Sequence, residues 1–176
     1  MSTTPSESDP RSPEASRRGF ITTASVAVAA GGLIHGLHAA PTAAQQKKDI
    51  VVGVMGVSRG MSLAKTFSGL QDVRVKYLCD TDSIRLKAAQ ESLSGIVQHD
   101  VQTTGDFRRI LDDAEVDALI CAAPNHWHAP AAILACSAGK HCYVEKPCSH
   151  NPNEGELLVQ AARKHKRCVQ MGNQRR

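Results

Sequence analysis

Ile50-Val51-Val52-Gly53-Val54-Met55-Gly56-Val57-Ser58-Arg59-Gly60-Met61 decides how this chain folds. The first six residues are apolar, rich in β-branched side chains and without polar alternation, which is the pattern of a strand buried on both faces. Gly56 to Gly60 then reads as a tight turn, and Met61 to about Leu70 as a helix. Strand, glycine turn and helix in that order open a βαβ unit.

Downstream the alternation repeats. Val73 to Cys79 is a second strand closed by Asp80, and Asp82 is an N-cap for a helix over Ser83 to Leu93. A weaker third strand is expected around Ile96 to Val101, followed by a short helix that begins at Thr104 or Asp106 and runs through Phe107, Ile110 and Leu111. Ala118 to Ala122 is a buried fourth strand. A helix over His128 to Ala138 ends at Gly139, which serves as its cap. His141 to Glu145 is the fifth strand. Asn151-Pro152-Asn153-Glu154 combines an N-cap, a proline in the first turn and a reciprocal capping glutamate. That helix runs to about Lys166, and Cys168 to Met171 opens a sixth strand. Strands alternating with helices at these lengths imply an α/β fold, a Rossmann-like doubly wound parallel sheet.

In such sheets ligands sit beyond the carboxyl ends of the strands, so chemistry is sought there. Gly56 and Gly60 supply the bend and the close backbone approach that a pyrophosphate needs, although Ser58 stands at the central glycine position and the spacing is irregular against G-x-G-x-x-G. Asp80 ends the second strand near the ~20-residue spacing of a ribose-binding acid. A carboxylate there accepts from both ribose hydroxyls and repels a 2′-phosphate, which favours NAD over NADP. Tyr143-Val144-Glu145-Lys146-Pro147 runs from an apolar strand tail into a carboxylate, an ammonium and a proline. Pro147 removes a donor and pushes Lys146 towards extended backbone, so the strand stops there. The lysine is left within reach of a substrate or a nicotinamide ribose.

Towards the N-terminus the character changes. Residues 1–13 are polar and rich in Ser, Thr and Pro, a composition that argues for disorder. Ser16-Arg17-Arg18-Gly19-Phe20-Ile21-Thr22 resembles a twin-arginine export signal. A weakly apolar stretch from Ala24 to Leu37 follows, and Ala39-Ala40-Pro41-Thr42-Ala43-Ala44 offers the small residues of a cleavage site. His35 and His38 interrupt the run that a ~20-residue membrane span requires. The expected organisation is a leader over 1–44, a dinucleotide-binding domain over 48–172, and the start of a second domain at 173–176. The implied location is periplasmic, with the export machinery as a partner and membrane contact only during export.

The 176 residues suffice for one domain and a tail. A net charge of +4 with scattered basic residues carries no stripe for nucleic acid, so none is expected as a partner. The six cysteines show no CxxC pair and no zinc spacing. Cys79, Cys121 and Cys168 lie in strand-like runs and are expected to pack in the core. Cys148 falls in a loop. His126 and His128, two apart and without a nearby acid or cysteine, make a poor metal site, and no metal is expected.

Pro124-Asn125-His126-Trp127-His128 after the fourth strand and Glu145-Lys146-Pro147 after the fifth, taken with the Gly56 turn and Cys79-Asp80-Thr81-Asp82, resemble the Gfo/Idh/MocA family. The likeness covers about Lys48 to Arg176. It implies that Gly56, Ser58, Arg59, Gly60 and Met61 cradle the pyrophosphate of NAD and that Asp80 holds the adenosine ribose. Asn125, Trp127 and His128 would line the nicotinamide half. Glu145 and Lys146 would lie beside the nicotinamide ribose and the substrate, with Lys146 assisting proton movement and a cis Lys146–Pro147 peptide. Asn173 and Arg175 would stand at the pocket mouth. Read more plainly, Trp127 packs and His128 opens its helix.

The resemblance also implies a second α/β domain beyond Arg176, absent here, which supplies most substrate contacts and through which homo-oligomers form. Three readings follow: an exported NAD-dependent oxidoreductase acting on a sugar or polyol hydroxyl, a redox-neutral NAD-dependent glycosidase, or a non-catalytic NAD-binding fragment. The chain by itself is expected to behave as the third and to expose an apolar face.

Overall fold

The computed structural model describes residues 49–173. The leader, its twin-arginine segment, the small-residue stretch and Arg175 lie outside the described residues. Six strands, β1 (Ile50–Met55), β2 (Val73–Cys79), β3 (Gln102–Thr104), β4 (Ala118–Cys121), β5 (His141–Glu145) and β6 (Val169–Gly172), form one sheet in the order β3-β2-β1-β4-β5-β6. Every pairing is parallel. Among the described residues five α-helices cover it: α1 (Val57–Ser68), α2 (Ser83–Ser94), α3 (Arg108–Asp112), α4 (His128–Ser137) and α5 (Pro152–His165).

Because strand side chains alternate between faces, β1 feeds two cores. Val52 and Val54 join Leu63, Ala64, Leu86 and Leu93 under α1 and α2. Val51 and Met55 join Ile110, Leu119, Ala132 and Leu158 under α3, α4 and α5. With both faces covered, β1 has no polar face to show, which is why its sequence does not alternate. The sparse aromatics are compensated by small side chains: Ala129, Ala131, Ala132, Ala135 and Cys136 of α4 are all at 0% exposure.

The local signals place the helix ends. Asp82 accepts from the Ile84 and Arg85 N–H groups and starts α2. Asn151 accepts from the Glu154 N–H at 3.0 Å, and the Glu154 carboxylate accepts from His150 N–H at 2.9 Å. The reciprocal cap therefore exists but reaches one residue further back. Gly139 (φ 76°) follows α4 with its N–H on Cys136 O and the Lys140 N–H on Ala135 O, a Schellman closure.

Three expectations are corrected. The Gly56–Gly60 turn shrinks to Gly56 alone, because α1 begins at Val57. The third strand is not Ile96–Val101 but Gln102–Thr104. The end of α2 captures Ile96 and Val97 through the Leu93 carbonyl, and only residues 102–104 come into register with Tyr77–Cys79. Cys168 is exposed, since β6 starts one residue after it.

Candidate dinucleotide site

The strand order reverses between β1 and β4, so the crevice beyond their carboxyl ends is the switch point where ligands bind in doubly wound sheets. Gly56 sits at its floor with φ 88°, its N–H on Cys79 O at 2.8 Å. A Cβ on Gly56 would stand 2.7 Å from the carbonyl of Ala122 and the nitrogen of Ala123. Glycine is therefore required twice, by backbone conformation and by the approach of the neighbouring main chain. Gly60 answers to a different demand, as its Cβ would meet Val54 Cγ1 at 2.8 Å where α1 crosses β1.

The first-turn amides of α1 are shared out unequally. Val57 N–H donates to Asp80 Oδ2 at 2.9 Å, and Gly60 N–H to Gly56 O at 3.1 Å. Helix geometry leaves Ser58 and Arg59 as the amides without an i−4 carbonyl. Both residues are exposed, whereas Gly60 is buried and Met61 packs against the core beneath α1. Of the Gly56–Met61 stretch expected as a cradle, Ser58 and Arg59 are exposed and Gly56 is half-buried at the crevice floor. Gly60 and Met61 serve helix packing.

Asp80 carries two duties. Its Oδ1 accepts from Asp82 N–H at 3.0 Å while Oδ2 caps Val57, which fixes the carboxylate at the end of β2. Each carboxylate oxygen keeps a further lone pair for a ligand hydroxyl. A cleft of about 500 Å3 opens beside it, lined among others by Gly56, Thr81, Phe107, Pro124, Trp127 and Leu134. Phe107 and Trp127 meet edge to face with ring centroids 5.9 Å apart. Apolar walls with a few fixed polar groups suit a flat heterocycle bearing hydroxyls. At the rim Arg108 Nε binds both oxygens of Asp106, at 2.9 and 3.1 Å, and holds that carboxyl below the usual range. Cys79 also lines the cleft, and burial, with the Asp80 and Asp106 charges adding, pushes its thiol up to about 12. It acts there as an apolar surface and not as a nucleophile.

Of the residues singled out from sequence, the cleft brings together Gly56, Asp80 and Trp127. Thr81, Gly105, Asp106, Phe107, Arg108, Ala123, Pro124 and Leu134 were not anticipated as lining. The signal for Gly105 to Arg108 existed, since they follow a strand's carboxyl end. Placing the third strand too early hid it.

A second group gathers over β5 and β6. Glu145, 5% exposed, accepts from Arg59 Nε at 3.1 Å through Oε1 and from its neighbour Lys146 N–H at 3.3 Å through Oε2. Lys146 itself is exposed at the tip, and the Lys146–Pro147 peptide is cis. Gly172 is the register partner of Glu145, so the exposed Asn173 follows at the same edge. Asn125 is exposed in the 3-10 turn Asn125–Trp127. His128 departs from its expected role. It is 2% exposed, with Nε2 2.7 Å from Ala123 O and Nδ1 against Pro147 O. It ties the β4–α4 turn to the Lys146–Pro147 tip, with both ring nitrogens engaged by main-chain carbonyls. Among the described residues no group of three or more His, Cys, Asp or Glu is arranged for a metal, and no helix is long and apolar enough to cross a membrane.

Residues 27–173 match the family described as GFO_IDH_MocA, oxidoreductase family, NAD-binding Rossmann fold. A glycosyl hydrolase family 109 protein of Shewanella sp. (strain ANA-3) is 34% identical over 131 residues, which is 71% of this chain and 29% of that protein. An uncharacterized oxidoreductase of Bacillus subtilis (strain 168) is 31% identical over 73% of this chain and 37% of its own length. Among solved structures, myo-inositol 2-dehydrogenase from Lactobacillus plantarum superposes with a TM-score of 0.64 at 25% identity, over 71% of this chain and 36% of that one. A scyllo-inositol dehydrogenase from Lactobacillus casei, solved with NAD(H) and scyllo-inositol bound, has a TM-score of 0.64 at 24% identity, a likeness of fold. The chain spans about a third of the length of these relatives. The obligate glycine at the floor, the carboxylate at the end of β2 and the apolar cleft between them fit the cofactor that the match names, and the chain belongs to the Gfo/Idh/MocA oxidoreductase family as an NAD-binding Rossmann domain.

Proposed function

We propose that this chain is the NAD-binding part of an exported enzyme that oxidises a hydroxyl of a sugar or polyol. The observation that carries the reading is the Asp80 carboxylate, fixed by two backbone amides beside the 500 Å3 cleft. Asp80 accepts from the adenosine ribose hydroxyls, and Phe107, Trp127 and Leu134 flank the adenine. A 2′-phosphate there would face the Asp80 and Asp106 charges, which favours NAD over NADP. Ser58 and Arg59 amides, at the positive end of α1, face the pyrophosphate. The other half of the dinucleotide then falls over β4, β5 and β6, beside Asn125, Glu145, Lys146 and Asn173. Bound NAD supplies a hydride acceptor at its nicotinamide ring. Lys146 orients the substrate hydroxyl and assists departure of its proton.

A second reading has its own support, because relatives at 34–35% identity are described as glycosyl hydrolase family 109 proteins. In that reading the same site oxidises and then re-reduces a sugar carbon, with no net change of cofactor. Net NADH from a panel of sugars and polyols supports oxidation. Release of nitrophenol from glycosides without net NADH supports the glycosidase. Binding of NAD with neither activity assigns the chain a non-catalytic, NAD-binding role. Export is tested on Arg17 and Arg18, where changing both to lysine is expected to leave the protein in the cytoplasm. Unaltered periplasmic recovery of that variant would refute the twin-arginine reading.

A further inference from the structure

Glu145 and Arg59 form an ion pair across the crevice between residues 86 apart in sequence. Glu145 ends β5 with its side chain 7% exposed, and Arg59 lies in the first turn of α1 with its side chain 51% exposed. A carboxylate so buried is costly without a partner. Here both oxygens are held, one by the guanidinium and the other by the Lys146 amide. The carboxylate therefore has a fixed position on the side of the switch point away from Asp80. That is where the nicotinamide half falls in the reading above, on which this inference rests.

The oxidised nicotinamide ring carries a positive charge and the reduced ring carries none, while the pyrophosphate and both riboses are the same in the two forms. A fixed charge beside the ring consequently acts on one redox form and leaves the other nearly untouched. We propose that Arg59, acting through Glu145, sets the relative affinity of the site for oxidised and reduced NAD. Removing the guanidinium makes the surroundings of the ring one charge more negative and favours the oxidised form. Removing the carboxylate leaves the guanidinium and favours the reduced form. Lys146 contributes the same charge in every case. Arg59 is thus a tuning residue and not a catalytic one, and its half-exposure keeps the effect moderate.

The test titrates the full chain with NAD+ and with NADH separately, for wild type, Arg59→Met, Arg59→Lys and Glu145→Gln. The ratio Kd(NADH)/Kd(NAD+) is expected to rise about threefold to tenfold in Arg59→Met and to fall by a similar factor in Glu145→Gln. It is expected to stay within about twofold of wild type in Arg59→Lys, which keeps the charge. A residue that only braces the loops would change both affinities by one factor and leave the ratio alone. An unchanged ratio in Arg59→Met, or a shift in the same direction in both charge-removing variants, overturns the proposal. If Glu145→Gln does not fold, the more exposed Arg59→Met and Arg59→Lys pair decides it. Wild type that binds neither form refutes the NAD reading itself, and this inference with it.

Discussion

At the scale of single residues, Gly56 and Asp80 show how closely binding and folding are joined in this crevice. Replacing Gly56 by alanine forces a positive φ on an L side chain and drives a methyl into the Ala122–Ala123 main chain. The combined strain is expected to cost roughly 2–4 kcal/mol and to abolish NAD binding. Urea unfolding checks it, and a loss under about 0.5 kcal/mol would show that the turn relaxes. Asp80 caps α1 as well as facing the cleft, so Asp80→Ala should lose about 1 kcal/mol of stability together with most NAD affinity. The cysteines divide by depth. Burial pushes Cys121 up to about 11 and Cys79 up to about 12, and Cys136 and Cys142 are also raised and buried. In native protein, thiol reagents should therefore label Cys168 and, more slowly, Cys148, with the other four reacting only after unfolding. Rapid labelling of all six would contradict the packing. From sequence, the place of Asp80 at the carboxyl end of β2 was legible because the apolar run stops there, whereas its hold on the Val57 amide, distant in sequence, was not. His128 was not, because nothing in one sequence tells whether an imidazole faces a ligand or two backbone carbonyls.

At the scale of elements, most were read to within a residue or two, the exceptions being the start of α1, which lies at Val57 and not Met61, and the strand β3. β1, β2, β5 and α5 announce themselves by apolar runs or caps that act locally. β3 is three residues long and exists through its pairing with β2, a contact distant in sequence. The helix α3 and the loop to β4 are likewise held from outside. Lys76 of β2 binds Asp113, Tyr77 OH donates to the same carboxylate at 2.9 Å, and Lys76 reaches Glu115 at 2.9 Å. The Lys76 ammonium holds Asp113 down at about 2, against an ordinary 3.8. A carboxyl depressed on folding adds stability above its unfolded pKa, and that contribution disappears as pH falls through the folded value. Asp113→Asn is accordingly expected to cost on the order of 1–2 kcal/mol at neutral pH, allowing for solvent screening. The difference from wild type should shrink between about pH 4 and pH 2. A destabilisation independent of pH would point to lost packing in place of lost charge.

At the scale of the whole molecule, the parallel order β3-β2-β1-β4-β5-β6 follows from alternation of strand and helix, with right-handed crossovers leaving few other arrangements. What no local pattern carries is how the loops above the sheet divide the crevice. Trp127, for example, lines one cleft together with Asp80 and Phe107, a juxtaposition of three loops that are far apart in sequence. Leu157 and Val159 of α5 are exposed at 45% and 47%. The most direct test of the account uses Trp127, the sole tryptophan, 42% exposed in the cleft wall. Titrating the folded chain with NAD while following tryptophan fluorescence should give a saturable change with one NAD per chain, much weakened in Asp80→Ala. A folded protein whose fluorescence and heat of mixing do not respond to NAD would contradict the account.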